Sequence, residues 1–197
     1  MTVQPPSGTV TFLFSDIEGS TQLWEAVPEA MRSALERHDA LVRAAIEGHG
    51  GYVVKTTGDG AHAAFGRAGD ALAAAVAMQD ALSGEPWPDG ATVRVRIGVH
   101  TGETSERDGD YFGTAVNRAA RLMAVAHGGQ VVCSQQTAGL AGDVASRHVR
   151  DVESRLFPRR SDVYRVVYRP PVDATFEVTS RAKRFAASAP MPGRTCW

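Results

Sequence analysis

Two acidic residues stand where strands end. Asp16 closes the hydrophobic stretch Gly8 to Asp16, and Asp59 sits in the tight turn Gly58-Asp59-Gly60 between two further apolar stretches. If the stretches 8–16 and 51–58 are neighbours, both carboxylates lie at one edge of a sheet. Two carboxylates converging where water can reach them make a hard-cation site, because Mg²⁺ takes one or two carboxylates and completes its shell with substrate phosphates. Either Asp alone has a plainer use, capping the backbone of its own turn. The residues that follow Asp16 shift the balance. Ile17-Glu18-Gly19-Ser20-Thr21 runs into the short helical segment Gln22-Leu23-Trp24-Glu25. A strand that passes through Gly19, Ser20 and Thr21 into a helix start exposes unpaired N–H groups suited to phosphate. A simple N-cap at Ser20 or Thr21 is compatible with that use.

Two further pairs carry chemistry. Asn117 and Arg121 stand four residues apart in Gly113-Thr-Ala-Val-Asn-Arg-Ala-Ala-Arg-Leu-Met, so one helical face holds both. Arginine brings a planar, permanently charged fork for phosphate, and asparagine an orienting amide. Val116, Ala119, Ala120 and Met123 mark the face expected to pack. Lys55 interrupts the apolar run Val53-Val54-Lys55, and Asp110 precedes Tyr111-Phe112-Gly113. A lysine can donate to a ring nitrogen of adenine and an aspartate can accept from its exocyclic amine. Lys55 could equally be a strand residue facing water.

The elements that must position these groups follow from periodicity. Gly8–Asp16 puts Val10, Phe12 and Phe14 on one face and Leu13 on the other, the pattern of a central strand. Pro28 to Gly50 has helical spacing through Met31, Leu35, His38, Leu41, Val42, Ala45 and Ile46. The stretches 51–58 and 61–65 read as a hairpin about Asp59-Gly60. Asp70 to Leu82 is an Ala-rich helix with Asp70 as its cap. Thr92–His100 alternates, Val93, Val95, Ile97 and Val99 against Arg94, Arg96 and His100. A helix over 113–127, a strand over 130–134 and an antiparallel pair over 145–153 and 162–168 complete the order. This is an α+β chain with a ferredoxin-like, split βαβ core and an appended αβ unit. Residues 1–7 form a disordered lead-in, 8–169 one domain, and 170–197, rich in Pro, Ser, Ala and Arg, a tail or linker.

Bulk properties exclude several classes. With 21 Lys and Arg against 22 Asp and Glu in 197 residues, the formal charge is −1. Nucleic-acid and membrane-surface binding gain nothing from such a balance, and neither is expected as a partner. No apolar run approaches the ~18 residues of a spanning helix, and no secretory leader is evident. Two cysteines, Cys133 and Cys196, fit a reducing cytoplasm. The six histidines lack metal-ligand spacing and read as structural.

Together the segments Phe14-Ser-Asp-Ile-Glu-Gly-Ser-Thr21, Lys55-Thr-Thr-Gly-Asp59 and Asp110-Tyr-Phe-Gly-Thr-Ala-Val-Asn117-Arg-Ala-Ala-Arg121 resemble the catalytic domain of class III nucleotidyl cyclases, over roughly residues 8–168. The resemblance is to the adenylyl, actinobacterial-like members. It implies a homodimer with two composite active sites that turn ATP into cyclic AMP and pyrophosphate in intracellular signalling. It further implies that Asp16, Asp59 and the Ile17 carbonyl bind two divalent cations, Mg²⁺ or Mn²⁺. Lys55 and Asp110 match the purine-selecting pair in its adenine form. Asn117 and Arg121 match the residues that orient the ribose and stabilise the transferring phosphate. Arg155, in Arg155-Leu-Phe-Pro-Arg159-Arg160, aligns with a residue that holds the terminal phosphates. The rival readings are a catalytically weak nucleotide-binding regulatory module and another phosphoryl-transfer enzyme on a palm-like fold. The Gly-Gly-Asp/Glu-Glu-Phe signature of diguanylate cyclases is absent.

Overall fold

The computed structural model describes residues 4–107, 109–142, 149–151 and 163–166. Elements follow in the order Thr9–Ile17 (β1), Ser20–Ala26 (α1), Pro28–Gly48 (α2), Tyr52–Thr56 (β2), Gly60–Phe65 (β3), Ala68–Ser83 (α3), Val95–Glu103 (β4), Ser105–Arg107 (β5) and Asp110–Phe112 (β6). Thr114–Val125 (α4), Val131–Ser134 (β7), Gln135–Leu140 (α5), Val149–Asp151 (β8) and Val163–Val166 (β9) complete the chain. Seven strands pair in the order β2-β3-β1-β4-β7-β9-β8, and β5 and β6 form a separate hairpin.

The first four strands give the antiparallel ferredoxin-like arrangement. β1 pairs antiparallel with both β3 and β4, and β2 pairs antiparallel with β3. β4 and β7 are parallel, joined through α4, which is the appended αβ unit. β8 and β9 pair antiparallel, as expected for the last two stretches.

Alternation on β1 explains the layers. Leu13 and Ile17 face a core shared with α2 and α3, including Met31, Ile46, Leu72, Met78, Ile97 and Val99. Val10 and Phe12 face the other way, onto Tyr111, Ala115 and Ala119. Phe12 and Leu13 are both wholly buried, each burial stabilising by about 1.5–3 kcal/mol.

Some boundaries differ from expectation. The cap of α3 is Arg67, without a side-chain cap bond, and Asp70 lies in the first turn instead. The cap of α1 is Gly19, not Ser20 or Thr21. α4 buries Ala115, Ala119 and Leu122; of the expected face Ala119 is buried and Val116 packs at the core's margin, while Ala120 and Met123 are half-buried. The cause lies on the sheet. A Cβ on Gly98 would lie 2.1 Å from the Met123 backbone nitrogen, so the helix rests on strand backbone through its small residues. Pro6, within the expected loose lead-in, accepts a 2.6 Å hydrogen bond from the Tyr111 hydroxyl. α5 and the β5–β6 hairpin were not anticipated. Ser134 caps α5, its Oγ accepting from the Thr137 N–H at 3.2 Å.

Candidate active site

Asp16 and Asp59 do come to one edge, by a different route. β2 is not beside β1; β3 separates them, and the β2–β3 turn folds back onto the end of β1. Asp16 pairs with Gly60 in the register, and the Ile17 N–H donates to the Asp59 carbonyl at 3.2 Å. Gly60 makes this possible: a Cβ there would lie 2.3 Å from the Ser15 carbonyl oxygen. Both aspartates are half-buried.

A residue that periodicity left unassigned completes this corner. Arg96 on β4 is the register partner of Asp16, and its Nε donates to Asp16 Oδ2 at 2.8 Å while Nη2 reaches the same oxygen. The Asp16 carboxylate thus holds a cationic partner from the protein itself. The alternation set Arg96 on the face of Arg94 and His100; its partner emerges only from the β1–β4 register. Among the described residues no cluster of three or more His, Cys, Asp or Glu could hold a metal. The oxygen donors available at this corner are the Asp16 and Asp59 carboxylates and neighbouring backbone carbonyls. That set fits Mg²⁺ or Mn²⁺, whose remaining positions are filled by water and phosphate.

The second corner is built around Lys55. The β2–β3 register shifts between Val53 and Lys55, so that Lys55 lies opposite His62. This bulge moves Lys55 to the face it would not occupy in a regular strand. Its Nζ then donates to Asp110 Oδ2 at 2.8 Å, across 55 residues of sequence. Asp110 is also fixed from its own backbone, Oδ1 accepting from the Tyr111 N–H at 2.8 Å. These two bonds, Lys55 first, hold the Asp110 carboxyl below its ordinary pKa. Tyr111 in turn sits edge-on to Phe12, ring centres 5.1 Å apart.

Asn117 and Arg121 share one exposed face of α4 and make no side-chain hydrogen bond or ion pair among the described residues. Gly19, Ser20 and Thr21 lie at the start of α1, directly after β1. Arg155 lies outside the described residues. A cavity of about 460 Å³, lined by Thr9, Thr11, Arg67 and Thr101 among others, lies at the opposite end of β1 from Asp16 and includes none of the candidate site residues.

The family model described as adenylate and guanylate cyclase catalytic domain matches residues 2–156. The chain belongs to this family. An uncharacterized protein of Mycobacterium tuberculosis is 47% identical over 138 residues, 69% of this chain and 46% of that one. Adenylate cyclases of Lachancea kluyveri and Neurospora crassa are 34% and 38% identical, over 78% and 67% of this chain. The chain spans only 10% and 7% of those two proteins, and under half of the mycobacterial relative. Among solved structures, an adenylate cyclase of Trypanosoma brucei in its monomeric state matches with TM-score 0.73 at 28% identity, over 83% of this chain and 91% of that one. The guanylyl cyclase Cya2 matches at TM-score 0.64 and 25% identity, over 85% of this chain and 98% of the other. Neighbours named for both nucleobases share the fold, so base preference rests on side chains. No helix among the described residues is long and apolar enough to cross a membrane.

Proposed function

We propose that this cyclase domain acts on ATP, forming 3′,5′-cyclic AMP and pyrophosphate at sites completed by two copies of the chain. The observation that carries the adenine preference is the Lys55–Asp110 pair at 2.8 Å. A cation donor beside a carboxylate acceptor complements the ring nitrogen and exocyclic amine of adenine; guanine presents the reverse pattern at those positions. The adenylate cyclase names of the fungal relatives support the same choice.

Asp16 and Asp59, with the Ile17 carbonyl, would hold two divalent cations, which when bound acidify the ribose 3′-hydroxyl and neutralise the leaving pyrophosphate. The remaining work falls to the chain. Asn117 orients the ribose, and the Arg121 guanidinium offsets charge growing on the α-phosphate. Such preorganised donors typically supply about 3–4 kcal/mol of transition-state stabilisation. The bond from O3′ to the α-phosphorus forms as the bond to the bridging oxygen breaks. Backbone N–H groups at Gly19, Ser20 and Thr21 face the phosphates. Arg96, once its carboxylate is taken, is free to turn toward them. Arg155 remains a candidate for the terminal phosphates.

Two copies are favoured because Asn117 and Arg121 stand exposed and unpartnered on α4, ready for substrate held partly by another surface. The test is purified protein with ATP or GTP and Mn²⁺ or Mg²⁺, assayed for cyclic nucleotide across a dilution series. Cyclic AMP with specific activity falling on dilution is expected. Cyclic GMP as main product would overturn the base assignment, and no product from folded dimer would overturn the activity.

A further inference from the structure

The sheet face beside the Lys55–Asp110 pair contains a buried imidazole without a hydrogen-bond partner among the described residues. His62 is 1% exposed, and neither ring nitrogen makes a hydrogen bond. Its setting is aromatic. Phe14 stacks on it with ring centres 4.2 Å apart and an 18° tilt, and Phe12 lies at 5.7 Å. The other two buried histidines each have a partner for one nitrogen, His38 in Asp39 and His100 in Ser134. A phenylalanine or leucine would suit the His62 pocket better on packing grounds, since buried polar groups without partners are destabilising. A residue that breaks the packing rule in this way belongs to function more often than to structure.

Its neighbours indicate which function. Lys55 is its register partner across β2 and β3, and both Lys55 and Asp110 act on it electrostatically. Burial, reinforced by Lys55, pushes its pKa down to about 4. The ring is therefore neutral near pH 7 and offers one donor and one acceptor nitrogen. Purine edges present both kinds of complement.

We propose that His62 is a third nucleobase-reading residue, whose ring edge hydrogen-bonds the purine when the Lys55–Asp110 bridge opens to admit it. This rests on the assignment of Lys55 and Asp110 as the purine pair. Phe14 covers one face of the ring, so a base meets His62 at its edge once the bridge has opened. Until then the unpaired nitrogens stay covered.

The experiment compares the full chain with His62→Phe, His62→Leu and His62→Gln. Melting temperature is measured without ligand, and binding of a non-cyclisable ATP analogue with Mn²⁺ by calorimetry. The Phe variant keeps the aromatic stack, Leu avoids crowding, and Gln restores a donor and an acceptor. The proposal expects His62→Phe or His62→Leu to melt about 2–4 °C higher while binding the analogue about tenfold more weakly. His62→Gln should recover most of the binding. Unchanged binding in both apolar variants overturns the proposal, as does a lower melting temperature or loss of folding in both. Cyclase assays of the wild type separate the two readings. A wild type that cyclises ATP, with variants that bind as it does, removes His62 alone. A wild type that binds the analogue without turnover, while the apolar variants lose binding, keeps His62 and removes the activity. A wild type that binds no nucleotide overturns both.

Discussion

The two corners of the site solve opposite electrostatic problems. At Asp16 and Asp59 two acidic residues share the end of β1. Asp16 is bonded by the Arg96 guanidinium, while no cation is paired with Asp59 among the described residues. At Lys55 and Asp110 the charges cancel within one pair, and the neutral, unpaired group is His62. The first corner is therefore poised to take up positive charge. The second gains nothing from an ion and can only exchange its internal bond for bonds to a neutral, hydrogen-bonding ligand. In the proposed reading, the metal–phosphate end and the nucleobase end thus differ in charge before any substrate is considered.

The sharpest way to break that contrast is Asp59→Ala. With folding verified by circular dichroism, cyclic nucleotide formation should fall on the order of a thousandfold, the several kcal/mol of lost metal assistance. Acid should strike the other corner. His62 and His100 both have pKa values pushed down to about 4 by burial, with Lys55 and Arg118 respectively adding to the effect. Unfolded, each imidazole titrates near 6.5, so between about pH 6.5 and 4 the unfolded chain binds more protons. Stability is then complete above 6.5 and declines as pH falls, by up to about three-hundredfold in the folding equilibrium per imidazole. Urea titrations at stepped pH should show this, with a shallower slope in His62→Phe. A slope unchanged by that substitution would assign the effect elsewhere.

Exchanging the nucleobase pair is the next largest change. Lys55→Glu with Asp110→Ser should lower ATP kcat/KM about thirtyfold and raise GTP use. Unaltered ATP kinetics would remove the purine assignment. The smallest effect is expected at Arg96. Its ion pair competes with any cation for Asp16, so Arg96→Gln should tighten Mn²⁺ binding to the nucleotide-free chain about fivefold. Electron paramagnetic resonance of free Mn²⁺ would measure it, and weaker binding would mean that Arg96 helps to build the cation site.

Most strands and helices were legible because their burial follows a simple period. Leu13 and Phe12 declared a strand covered on both sides, and the Asp-Gly turn declared its hairpin. What stayed hidden depended on partners far away in sequence. The bulge that turns Lys55 toward Asp110 leaves the run Val53-Val54-Lys55 looking like an ordinary strand. Arg96 gained its role only when β4 paired with β1 in register with Asp16. On α4 the expectation held at Ala119 and in part at Val116, but the fully buried positions Ala115 and Leu122 lie one residue away from the larger Val116 and Met123. The strand glycines beneath the helix reward small residues instead. His62 carried no signal at all, since an unpaired nitrogen is a property of surroundings.

The seat of α4 has a mechanical meaning. Cβ atoms at Gly98 and Gly102 would lie 2.1 Å from the Met123 nitrogen and 2.9 Å from the Ala115 Cβ, so at these two points the helix sits directly on strand backbone, with the side chains of the core around them. A cushion of side chains can be repacked, letting a helix slide or roll by small steps; a hard bearing cannot. Asn117 and Arg121 are therefore mounted like teeth on a fixed gear. Rolling α4 would drive its backbone into β4 at these two points, so Asn117 and Arg121 keep their place over the strand.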